Sequence, residues 1–104
     1  MLFHTEIIEG FTINVFSLPE DISPRGQFET DDAQEIIEKI ENGQLEWFCA
    51  KVTASKNGVL LAEDYLGACC YKSLSDFINP DCYYGDMVKT VIKEAKETIK
   101  SLQE

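Results

Sequence analysis

The dipeptide Asn57-Gly58 separates a segment whose side chains sort onto two strand faces from a second segment rich in apolar residues, and it limits the folding of this chain more than any other feature. Both residues accept positive φ, the backbone state that a two-residue hairpin turn requires. Before it, Leu45 to Ala54 places Phe48, Ala50, Val52 and Ala54 on one side of a strand. Trp47, Cys49, Lys51 and Thr53 fall on the other side, because side chains alternate along a strand. The return strand is expected from Val59 to about Leu66, with Gly67 breaking or bulging it before Cys69-Cys70-Tyr71. A second hairpin is expected within Leu2 to Leu18. There Phe3, Thr5 and Ile7 alternate with His4 and Glu6, Glu9-Gly10 turns the chain, and Phe11 to Phe16 alternates again.

Two prolines and Gly26 make Pro19 to Phe28 an irregular loop. Thr30-Asp31-Asp32 then opens a helix whose buried stripe is Ala33, Ile36, Ile37 and Ile40, and Asn42-Gly43 ends it. Ser73-x-x-Asp76 starts a short helix that Asn79-Pro80-Asp81 stops. Asp86 is the expected cap of a long helix with Val88, Val91, Ile92, Ala95, Ile99 and Leu102 on one stripe. Lys89, Lys93, Lys96 and Lys100 fill its other side. The expected fold is therefore α+β. It is an antiparallel sheet of about four strands, built as two hairpins with one helix between them, and a short plus a long C-terminal helix pack on one face. A length of 104 residues gives one domain, 1–104, long enough to bury a core. No apolar run reaches the ~18 residues of a membrane span, and no basic-then-apolar start marks a signal peptide; a cytoplasmic protein that does not engage membranes is expected.

Chemistry-bearing motifs are sparse. Cys49, Cys69, Cys70 and Cys82 do not show the C-x₂₋₄-C spacing of zinc sites, and adjacent Cys69 and Cys70 point to opposite faces of a strand. They read as apolar thiols, so neither a metal nor another cofactor is expected. Glu63-Asp64 is an adjacent acidic pair whose side chains diverge, which disfavours a shared-proton dyad. No phosphate loop, dinucleotide fingerprint, zinc-protease helix or nucleophile elbow occurs. The expectation is a protein that is not an enzyme.

Charge says more. With 19 acidic and 9 basic residues the net charge is −10, which repels nucleic acid and anionic membranes. Residues 1–48 hold eleven of the acids and only Arg25 and Lys39 as bases, so nearly all the net charge lies in the first half. Asp31, Glu35 and Glu38 follow i, i+4, i+7 spacing on the first helix, with Glu41 near the same side. Successive carboxylates then lie about 5–6 Å apart along the axis, an arrangement that costs a few tenths of a kcal/mol per pair. Such a stripe is either a solvated face that maintains solubility or a surface for a basic partner. Trp47, with Tyr65, Tyr71, Tyr83 and Tyr84, could anchor that contact, provided its strand face is not the one that helices cover.

The segments Glu46-Trp-Phe-Cys-Ala-Lys-Val-Thr-Ala54, Asp64-Tyr-Leu-Gly-Ala-Cys-Cys-Tyr71 and Tyr83-Tyr-Gly-Asp-Met-Val88 resemble short uncharacterised acidic proteins of phages, prophages and mobile elements, over roughly residues 43–88. That family has no established activity, so the resemblance implies no catalytic residue. It implies a setting, in which small acidic proteins bind and block host defence machinery. The leading expectation is a non-enzymatic, cytoplasmic protein that binds a basic protein partner, itself a nucleic-acid binder, through Asp31, Glu35, Glu38 and Glu41 with Trp47. In that setting it would be a counter-defence inhibitor or nucleic-acid mimic. The alternative is a self-associating structural or assembly module, a homo-oligomer. A hydrolase or metal protein using the cysteines and Glu63 or Asp64 is the third reading.

Overall fold

The computed structural model of the chain describes residues 1–28 and 32–103. Four strands form one antiparallel sheet in the order β1-β2-β3-β4: β1 is Leu2–Ile8, β2 Phe11–Leu18, β3 Glu46–Lys56 and β4 Val59–Tyr71. Helix α1, Ala33–Glu41, lies between β2 and β3 in the chain. A short 3₁₀ turn, Leu74–Phe77, and the long helix α2, Tyr83–Gln103, follow the sheet. The α+β class and the two hairpins are those expected, and both hairpin turns use positive φ, at Glu9-Gly10 and at Asn57-Gly58.

Register decides which face becomes the core. Ile13 pairs with Ala54 and Val15 with Val52, while Phe48 pairs with Cys69 across β4. These residues point to one side, where α2 covers them with Tyr84, Met87, Val88, Val91, Ile92 and Ala95. Ile13, Val15, Val52 and Val91 are completely buried, each contributing about 1.5–3 kcal/mol through removal of apolar surface from water. Phe77 closes one end of this core, with its ring 6.0 Å from Phe48, 5.5 Å from Tyr71 and 6.0 Å from Tyr84.

At four places the structure corrects or refines the sequence reading. First, α2 begins at Tyr83 rather than at an Asp86 cap, so its buried stripe gains Tyr84 and Met87 one turn earlier, while Leu102 at the far end is 77% exposed. Gly85 allows this start: a Cβ there would stand 1.8 Å from the Pro80 carbonyl oxygen, so only glycine lets the preceding loop lie against the helix. Second, of the two outcomes expected at Gly67, a break or a bulge, the structure has the bulge: β4 runs on to Tyr71 through an irregularity in which Ala68 adopts φ +56°. Third, the short helix expected after Ser73 is a single 3₁₀ turn, Leu74–Phe77. Fourth, a bulge between Leu2 and His4 turns two neighbouring side chains of β1 toward the helix side, Phe3 onto Phe48 and His4 onto Tyr84.

Helix α1 stands apart from this core. Of its expected stripe only Ile37 is buried, and Ala33, Ile36 and Ile40 are half-buried. Asp32 occupies its N-cap position without a side-chain hydrogen bond, and Thr30 and Asp31, also expected at this start, lie outside the described residues. Its C-terminus closes as expected: Gly43 takes φ +78°, and the Gln44 N–H donates back to the Lys39 carbonyl at 2.8 Å.

Candidate functional site

The sequence-expected contact surface maps to the segment between β2 and β3. From Glu20 to Glu46 this segment carries nine acidic and two basic residues, the greater part of the net charge. Glu35, Glu38 and Glu41 are all exposed on α1; Asp31 lies outside the described residues. Both bases of the segment are engaged locally. Lys39 Nζ lies 3.4 Å from Glu35 across one helical turn, and Arg25 Nη2 donates to Glu41 at 2.8 Å. Glu38 accepts only a long bond, 3.4 Å, from the Gln34 amide. Asp21, Asp32, Glu38 and Glu46 have no cationic partner among the described residues, so the lobe keeps a net negative field after its internal pairs are formed.

Trp47 lies on the sheet face opposite Phe48, as alternation required, and that face is not the one α2 covers. It is nevertheless half-buried. Its indole N–H donates to the Ile22 carbonyl at 2.9 Å, and the Phe28 ring lies 5.9 Å away. Trp47 therefore ties the Pro19–Phe28 loop to the sheet. Glu20 makes the second tie. Its Oε2 accepts the Ala68 N–H at 2.6 Å and its Oε1 the Ile22 N–H at 3.1 Å, which lowers its pKa. Gly67 leaves room for that carboxylate, since a Cβ there would lie 3.0 Å from Oε2. The turned-out amide of the β4 irregularity and a loop acid 48 residues away thus form one joint.

On the same open face Lys51 lies over the rings of Phe16 and Tyr65, 5.6 and 5.7 Å from their centroids, and 3.6 Å from Glu63. Asp64, as expected from alternation, diverges from Glu63 and pairs in register with Val52. Three of the thiols are poor nucleophiles: burial pushes Cys69 up to about 11, and burial also raises Cys49 and Cys70. All four cysteines are free, and Cys82 is exposed.

Sequence reasoning missed a second feature, on the helix side of the sheet edge. Tyr84 Oη donates to Glu6 Oε2 at 2.6 Å, and His4 Nε2 lies 2.7 Å from the same oxygen. Hydrogen bonds from Tyr84 and then His4 hold Glu6 below the ordinary carboxylate range, while burial and the Glu6 bond push the Tyr84 phenol up. Beside this trio a groove of about 600 Å³ opens between the end of β1, the Ile78–Pro80 loop and the first half of α2. Its parts lie about 80 residues apart in the chain, and the one local signal for it was the row of lysines on α2. Compared with protein-family models, curated proteins and solved structures, the chain has no match.

No helix among the described residues is long and apolar enough to cross a membrane.

Proposed function

We propose that this protein is a non-catalytic binding module whose acidic lobe engages a basic partner protein, one that itself handles nucleic acid. The observation that carries this reading is the separation of charge from core. Helix α1 and its flanks add little to the buried cluster, yet they hold most of the net charge, with carboxylates left over once the local ion pairs are made. Like charges on one helix weaken it slightly, so their presence on a segment that adds little to the main core fits recognition better than stability. Glu35, Glu38 and Glu41, with Asp31, form the contact. Trp47 and Glu20 hold the lobe in place beside it. Charge complementarity of this kind speeds association and selects partners. Inhibition of a host defence protein is the setting this proposal carries.

The test is a pull-down from source-cell lysate at about 50 mM and about 500 mM salt, where screening contracts from about 14 Å to about 4 Å. A triple variant, Asp31→Lys, Glu35→Lys and Glu38→Lys, is run beside the native protein, with its circular dichroism checked first. A nucleic-acid-handling protein captured at low salt, released at high salt and lost with the folded variant supports the reading. Equal capture by the variant overturns it. Recovery of only the protein itself at both salts overturns it in favour of the self-associating module, for which the exposed edge residues Val59 and Leu60 of β4 are the surface.

A further inference from the structure

The groove beside α2 has an apolar floor and a rim with a surplus of one sign. Ile8 from β1, Ile78 from the loop, and Val88 and Ile92 from α2 supply the floor. In its wall the Gly85 backbone and Pro80 meet too closely for any other residue at position 85. A volume of about 600 Å³ suits a small molecule.

The rim charges divide into those already engaged and those that are not. Glu6 shares one carboxylate oxygen with Tyr84 and His4. Glu9 pairs with Lys96 at 2.9 Å. Lys89 and Lys93, one helical turn apart, have no ionic partner among the described residues. Two cations side by side at the mouth of an apolar groove stand out in a protein of net charge −10. They also oppose helix stability by a few tenths of a kcal/mol.

We propose that this groove binds a small amphipathic carboxylic acid, whose alkyl body of about ten carbons lies on Ile8, Ile78, Val88 and Ile92 while Lys89 and Lys93 hold its carboxylate. The acid is free in solution, not part of a membrane. Removing the apolar body from water supplies most of the affinity, and the lysines supply the preference for an anion. This site is independent of the acidic lobe.

The experiment titrates decanoate into ¹⁵N-labelled protein and follows amide shifts. Saturable shifts at Ile8, Val88 and Ile92 are expected, with decanol binding about tenfold more weakly. The exposed-residue variant Lys89→Glu/Lys93→Glu should weaken decanoate about tenfold and leave decanol unchanged. Ile78→Trp, which fills the groove without changing charge, should abolish both while the circular dichroism spectrum is retained. Absence of saturation by about 1 mM overturns the proposal. So does equal affinity for decanoate and decanol, indifference to the lysine variant, or shifts centred on Tyr65 of the open sheet face. Sedimentation with anionic vesicles in place of decanoate binding would assign the groove to a membrane surface and overturn it as well.

Discussion

Phe77 and Ile37 are both buried apolar side chains, but their surroundings differ. Phe77 stacks its ring against Phe48, Tyr71 and Tyr84, so it joins two strands and the long helix at one point. Ile37 lies outside that cluster, on a helix with no extensive packing against any strand or against α2. The sheet with α2 is held by area removed from water. The lobe between β2 and β3 is held by a few directional joints, Trp47 to Ile22, Glu20 to Ala68 and Arg25 to Glu41. Where apolar burial is dense, sequence is committed to shape. Where it is thin, side chains are free to carry charge.

Substitution at the core should break this division most visibly. Phe77→Ala is expected to cost about 3–5 kcal/mol, since it removes a ring that three others contact, and urea denaturation followed by circular dichroism measures it. A loss below about 1 kcal/mol would mean that the core does not converge on this residue. A smaller and local effect is expected in the lobe. Trp47→Phe keeps the contact with Phe28 but removes the bond to the Ile22 carbonyl, costing about 0.5–1 kcal/mol. Amide exchange should quicken in residues 20–28 while β2 and β3 keep native rates; if protection falls equally in β2 and β3, lobe and core form one cooperative unit.

The smallest effect is a pH dependence on the core side. Glu6 has a folded-state pKa below its ordinary value, so its stabilising contribution is complete above about pH 4.3 and is lost as pH falls through the lowered value. Thermal midpoints of Glu6→Gln and native protein should therefore differ at neutral pH and converge on acidification. A gap that widens below pH 4 would show that the bonds to Tyr84 and His4 do not favour the charged form.

Much of the core side was legible because its signals are local. Alternation through Phe48, Ala50 and Val52, and the Asn57-Gly58 turn, required a hairpin with those residues on one face. Alternation also placed Trp47 opposite Phe48, but periodicity has no information on which face a later helix will cover. The start of α2 is not legible in Tyr83-Tyr84-Gly85, which lacks helix-forming signals, and the approach of Pro80 that demands glycine at position 85 is a tertiary contact. The tie between Glu20 and Ala68 and the trio of His4, Glu6 and Tyr84 depend on pairs 48 and 78 residues apart, beyond the range of any local pattern. The acidic stripe was readable as composition. Its partial neutralisation by Arg25 was not, because that residue reaches Glu41 from a loop 16 positions away.

The placement of α2 after all four strands also bears on the order in which the molecule can be made. Each strand pairs with its neighbour in sequence, so the sheet can assemble as the chain emerges from the ribosome. Its inner face, with Phe11, Ile13, Val15, Phe48 and Val52, then has no lid until the 21-residue helix α2 has also left the exit tunnel. During that interval the nascent sheet exposes a contiguous apolar surface of the kind that chaperones bind and that aggregates when left alone. A chain cut near Pro80 would therefore keep all four strands and lack the element that shields their inner face.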